Sequence, residues 1–196
     1  MKNNHHPNHL TIEPVTTADT ADLLGIYAPY VESTAISFEY EPPTEAEFAD
    51  RIRSISARYP YIKAVEGGET VGYAYANTFK GRRAYDWSVE TTIYVRQDRH
   101  GQGIGRTLYE ALEKSLKDMG ILNMNACIAA PKQLAADPHL SADSIHFHER
   151  MGFVPVGTFH DSGYKFDTWY DMIWMEKMIG QHAKEQNPVR FGDWTI

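Results

Sequence analysis

The chain of 196 residues has no uninterrupted apolar run approaching the ~18 residues needed to span a bilayer. Its first nine residues are polar and His-rich with no apolar stretch behind them, so the parts of a secretory leader are absent and a cytoplasmic location is expected. Cysteine is nearly absent. The one thiol, Cys127, excludes an internal disulfide and sits in the apolar stretch Cys127-Ile128-Ala129, which reads as core before it reads as a reactive nucleophile. Basic residues are too few for a general nucleic-acid surface: 19 Lys and Arg against 26 Asp and Glu leave a net charge of −7. His5, His6 and His9 have no cysteine partners and Pro7 breaks their period, so they read as a flexible terminus and no metal is expected. The length fits one domain with a tail: residues 1–9 as a free terminus, 10–179 as the domain and 180–196 as a tail. The tail's Pro188, Phe191 and Trp194 suggest docking on the domain or on a second subunit.

What is there reads as alternating short elements. Residues 10–15 form a predicted strand. Thr16 to about Ser33 carries Leu23, Leu24, Tyr27 and Val31 at helical spacing. Thr44-Glu45-Ala46-Glu47 is a capping box that starts a second helix, expected to reach Arg58. Strands are expected at 61–66, 70–79 and 86–95, the first two joined by a tight turn at Gly67-Gly68. From Gly103 to Met119 the residues Ile104, Leu108, Ala111, Leu112, Leu116 and Met119 share one helical face, and Gly120 ends the helix. A buried strand at 121–129, a long loop, a short helix from Ser141 or Asp143 to Met151, and strands at 153–160 and about 168–178 complete the chain. The order β-α-α-β-β-β-α-β-α-β-β is an α+β arrangement, not the strict alternation of a doubly wound fold.

The chemistry concentrates between the third predicted helix and the strand before it. In His100-Gly101-Gln102-Gly103-Ile104-Gly105-Arg106, three alternating glycines let the backbone pass close to a ligand and aim N–H groups at one point, with the helix dipole adding attraction for an anion. A pyrophosphate suits that arrangement. A dinucleotide fingerprint fails because Arg106 or Leu108 stands where its last glycine must be. A nucleotide-triphosphate loop fails at Arg106 and at His100. A plain turn would need only one glycine.

Arg99 to Thr107 resembles the acetyl-CoA pyrophosphate loop of the GNAT acetyltransferases, Gln/Arg-x-x-Gly-x-Gly/Ala at a helix start, with His100 in the leading position. Ser37 to Thr44, Gly72 to Ala76, Ala84 to Val95, and Gly163-Tyr164-Lys165 with Trp169 and Asp171 resemble the phosphinothricin N-acetyltransferase subgroup, over residues 10–178. The resemblance implies a GNAT fold, a mixed and mostly antiparallel sheet flanked by helices. It also implies acetyl-CoA as cosubstrate, direct acetyl transfer to the α-amine of a small amino acid derivative, and a homodimer. A protein N-terminus, a lysine or a polyamine stays open as acceptor, as does a module that holds CoA without catalysis.

Glu90 stands among Trp87, Val89, Thr92 and Ile93, an apolar setting that raises a carboxylate's pKa and suits a general base; the resemblance gives it the same role. A salt bridge to Arg82 or Arg83 is the alternative. By resemblance the amides of Ile93, Tyr94 and Val95 face the thioester arm, and His100, Gly101, Gln102, Gly103, Ile104, Gly105, Arg106, Ser141 and Ser144 complete the cofactor site. Ser141 replaces the family's Asn after an insertion around 132–140. His148 occupies the position from which the family protonates the departing thiolate, and a structural histidine is the alternative. Phe38, Tyr75, Tyr85 and Trp87 are expected to wall the acceptor pocket, with Arg82 and Lys165 anchoring an acidic group. Aromatic core residues are the alternative for the first four.

Overall fold

The computed structural model describes residues 9–132 and 137–196; His5, His6 and part of the 132–140 insertion lie outside them. The strand β1 (Thr11–Pro14) runs into a 3-10 turn at Thr17–Asp19 and then the helix α1 (Thr20–Ser33). Thr16 and Asp19 form a reciprocal capping box there. The helix α2 (Glu45–Ser56) begins on the Thr44–Glu47 capping box, with Thr44 N–H donating to Glu47 at 2.8 Å. Strands β2 (Tyr61–Glu66), β3 (Glu69–Thr78) and β4 (Ser88–Val95) follow, then helix α3 (Ile104–Met119), β5 (Asn123–Ala130), α4 (Asp143–Arg150), β6 (Val154–Lys165) and β7 (Thr168–Met178). The predicted element order is the observed one.

All seven strands form one sheet in the order β1-β2-β3-β4-β5-β7-β6. Every pairing is antiparallel except β4 with β5, which α3 connects in the crossover a parallel pair requires. On one face α3 buries Leu108, Leu112 and Leu116 against Val71, Ala74, Val89 and Met124. On the other, α1 and α2 bury Leu23, Tyr27, Val31 and Phe48 against Tyr61 and Tyr73. Strand alternation decides which residues go where: Val89, Thr91 and Ile93 point toward α3, and Glu90, Thr92 and Tyr94 toward the α1–α2 side.

β6 is longer than its sequence pattern suggests. It is expected to end at His160, but it resumes pairing after a bulge between Phe159 and Gly163 and continues to Lys165. The two-residue turn Phe166–Asp167 then has φ of 49° and 55°, the positive values a tight hairpin of this kind needs. Without Asn-Gly at the turn the sequence gives no hairpin signal, and Phe166 is held there by stacking on His139 at 3.9 Å.

The tail docks on its own chain. Phe191 meets Tyr59 edge-on at 5.6 Å, and Trp194 and Val189 pack on the main core.

Candidate active site

β4 and β5 pair only from Ser88 to Glu90 against Asn123 to Asn125, and beyond that point the strands are no longer partnered. Side chains take over where the backbone ladder stops: Asn125 Nδ2 donates to Val89 O at 3.0 Å and Thr91 Oγ1 to Asn125 O at 3.2 Å. Glu90 is the last paired residue, so it stands at the mouth of the split.

Above the split lies a cleft of about 630 Å³ lined by Ile93, Tyr94, Val95, His100, Gly101, Gly103, Ile104, Gly105, Arg106, Ser141 and Ser144. These are eleven of the twelve residues expected to meet the cofactor. Arg99, the first residue of the loop resemblance, lines it as well, as do Tyr30, Phe147 and Arg150, which were not among the expected cofactor residues. The twelfth, Gln102, is exposed, and its Oε1 accepts from Arg99 Nε at 3.2 Å instead of facing the cleft.

The loop's shape comes from Gly101 and Gly103, whose φ values of 76° and 85° an L-residue adopts only at a cost. A Cβ on either would meet nothing within 4 Å, so the space beside them is open. Gly105 differs: a Cβ there would come within 3.1 Å of the Phe147 ring, so this glycine lets α3 approach α4. His100 turns toward α1. With hydrogen on Nε2 it donates to Tyr30 at 2.7 Å, and Tyr30 in turn donates to Val95 O at 2.5 Å. Arg99 is ion-paired with Glu66. Ser141 is not the N-cap of α4, as Ala142 occupies that position; its hydroxyl donates to Asp143 Oδ2 at 2.8 Å.

On the α1–α2 side of the split, register puts Glu90 beside Asn77, with Cys127 facing Trp174 one strand further on. Burial raises the Glu90 carboxyl above the ordinary carboxylate range, and Lys80 opposes that rise. Neither Arg82 nor Arg83 pairs with Glu90; both are exposed. Lys80 extends over Phe79 and Trp174 at 5.0 and 5.3 Å, and Tyr85 meets Phe79 edge-on at 6.0 Å. Lys80 and Trp174 were missed in the sequence, where neither carried a motif. Burial also raises the pKa of the Tyr75 hydroxyl, with Glu90 and Glu39 adding to the effect and Thr92 and Arg51 opposing it. Phe38 packs at the far end on Tyr170, 6.2 Å between centroids.

Three expected roles do not survive. His148 is 3% exposed, with Nδ1–H donating to Ser144 O at 2.7 Å and Nε2 accepting from Tyr109 at 2.9 Å. Burial pushes its pKa down to about 4, so it is neutral and walled in rather than poised over a thiolate. Lys165 is also 3% exposed, and its three hydrogens go to the carbonyls of Val31, Thr34 and Ser37 at 2.6, 2.9 and 2.8 Å, leaving none for an acceptor. Trp87 lies in the turn before β4, and its indole N–H donates to Asn187 O at 2.8 Å in the tail, which itself bonds to Ser115 and Met119 of α3.

A seven-stranded mixed sheet that splits beside a glycine loop defines an acyl-group transferase fold, and the comparisons make it specific. Residues 12–174 match the model of the acetyltransferase (GNAT) domain, and the chain belongs to that family. It is 37% identical to the phosphinothricin N-acetyltransferase of Streptomyces viridochromogenes over 82% of this chain and 83% of that one. It is 30% identical to the L-methionine sulfoximine/L-methionine sulfone acetyltransferase of Pseudomonas paraeruginosa over 83% and 92%. Among solved structures, a phosphinothricin acetyltransferase from Sinorhizobium meliloti in complex with AcCoA superposes with a TM-score of 0.80 at 30% identity, covering 93% and 98%.

Proposed function

We propose that the chain transfers acetyl from acetyl-CoA to the α-amine of a small amino acid derivative of the phosphinothricin, methionine sulfone or methionine sulfoximine type. The observation that carries this is Glu90: a half-buried carboxylate of raised pKa at the point where β4 and β5 part. The open glycine loop and the α3 N-terminus fit a pyrophosphate, and the side of Ile93–Val95 that β5 no longer pairs fits an extended thioester arm. When bound, acetyl-CoA supplies the acyl carbon. Glu90 takes the proton from the incoming ammonium, which leaves the neutral amine with its lone pair free to attack; the carbon–nitrogen bond forms, the carbon–sulfur bond breaks, and CoA leaves as its thiolate. Lys80 is the cation beside Glu90, and it or the exposed Arg82 pairs the acceptor's carboxylate.

Release of CoA thiol with phosphinothricin, methionine sulfone and methionine sulfoximine, against spermidine and a lysine peptide, tests the reading. The amino acid derivatives should show the highest kcat/KM. A higher value for the polyamine or peptide would overturn the acceptor class and leave the acetyltransferase.

We also read the enzyme as a cytoplasmic homodimer without nucleic-acid or membrane partners. The support is the negative net charge, a sequence with a single cysteine, no helix among the described residues long and apolar enough to cross a membrane, and the exposed apolar edge of β6.

A further inference from the structure

The tail crosses the end of the sheet from which the acceptor segment rises. Its backbone is pinned at separate points: Arg190 N–H donates to Met119 O at 2.9 Å, Gly192 N–H to Arg58 O at 3.0 Å, and Ser115 Oγ to Thr195 O at 2.6 Å. It reaches the segment that precedes Glu90 once directly, ahead of these points, and once through Arg58. Asn187 O accepts the Trp87 indole N–H at 2.8 Å. The ring of Phe191 lies 3.6 Å under the Arg58 guanidinium, which reaches Asp86 at 3.5 Å. Trp87 O in turn accepts from Leu122 and Asn123 N–H at 2.9 and 3.1 Å, so the same residue is locked to the start of β5. Immediately before it, the 3-10 turn Arg83–Tyr85 has no side-chain cap, and Arg82, Arg83 and Tyr85 are exposed. Within itself the turn has only its short backbone bonds and the edge contact of Tyr85 on Phe79. Asp86 and Trp87 hold it from below, and both are held by or through the tail.

We propose that residues 187–192 form a positioning strap for the acceptor segment Arg82–Trp87, and that the strap sets affinity for the acceptor while leaving the acetyl-CoA cleft untouched. The proposal rests on the acceptor reading above. A structural cover alone would protect the core without tuning substrate affinity. A displacement of an anchoring side chain by about 1 Å is enough to lose catalytic efficiency, which is the sensitivity the strap exploits.

Two variants separate these possibilities. Arg58→Met keeps the aliphatic stem and removes the charge between Asp86 and Phe191; it should raise the acceptor KM about fivefold or more, with acetyl-CoA Kd in calorimetry unchanged within about twofold. Ending the chain after Gly180 should raise the acceptor KM further, and the peptide of residues 181–196 added in trans should restore it. Hydrogen exchange gives a readout independent of turnover: amides of 82–87 should exchange faster in Arg58→Met, with those of 99–105 unchanged. If acceptor KM stays within twofold, or exchange at 82–87 is unaltered, the strap is overturned even where thermal stability falls. If the intact chain acetylates no amino acid derivative while exchange at 82–87 still responds, the acceptor reading fails and the strap's positioning of the segment stands.

Discussion

Lys165 Nζ lies 2.6 Å from the carbonyl oxygen of Val31, inside the last turn of α1, and also donates to Thr34 and Ser37 just past the helix end. A cation at the negative end of a helix dipole satisfies carbonyls that have no intrahelical partner. The same contact fixes the segment that carries Phe38, whose ring fills the space over Gly163 so closely that a Cβ there would overlap it.

Lys165→Met should therefore destabilise the protein by about 3 kcal/mol, because two buried carbonyls and one partly buried one lose their donor. Urea midpoints measure this. Lys165→Arg should recover only part, since a planar guanidinium does not converge three donors on one point. A loss below about 0.5 kcal/mol for the Met variant would mean that water replaces the ammonium, and the clamp would carry no weight.

Glu90→Gln should fold, bind acetyl-CoA with unchanged affinity, and lose roughly 100-fold or more in kcat at neutral pH. In the unaltered protein the base is lost as pH falls through the raised Glu90 pKa, so the acid limb of the kcat profile should sit above the ordinary carboxylate range. Lys80→Met removes the cation that opposes the rise and should move that limb further up. An unmoved limb would detach Lys80 from Glu90.

Gly103→Ala should weaken acetyl-CoA binding through backbone strain of about 1–2 kcal/mol, since its φ is 85° and its surroundings are empty. Gly105→Val should act differently, pushing on Phe147 and lowering the melting temperature as well as affinity. Calorimetry and thermal melts read the two effects separately.

His148 gives a pH signature in stability. Its pKa is about 4 when folded against 6.5 ordinarily, so below pH 6.5 the unfolded chain takes up a proton that the folded chain refuses. Stability is lost as pH drops from 6.5 toward 4, by up to about 3 kcal/mol from this group. In His148→Gln the difference between urea midpoints at pH 7 and pH 5 should shrink. An equal difference in both proteins would show that carboxylates alone produce it.

Val154, Val156 and Phe159 on the edge strand β6 are 56%, 54% and 59% exposed, an apolar row that a second copy would cover. Val156→Lys should shift sedimentation toward the monomer. A chain that sediments as a monomer before substitution removes the dimer reading.

The third helix and its glycine loop were readable because two local codes agree there: a 3.6-residue apolar period and glycines at positions of positive φ. Glu90 was readable from its apolar neighbours, since strand alternation forces it to one side of the sheet. Trp87 shows the limit of that reasoning, because its aromatic character placed it in the pocket while it stands in the turn before β4 with its indole bonded to the tail. Lys165 and His148 were misread for another reason. A charged or titratable side chain looks functional in a sequence, and only tertiary packing reveals that its hydrogens are already taken by carbonyls 128 residues or four residues away. The second half of β6 was hidden because a bulge breaks the two-residue period.

Cys127, the only cysteine, faces the split opposite Trp174, and burial pushes its thiol up to about 12. At neutral pH almost none of it is thiolate, the form that attacks a disulfide. A chromogenic aromatic disulfide can therefore sit in the reaction mixture throughout turnover, titrating each molecule of CoA as it leaves without consuming the enzyme.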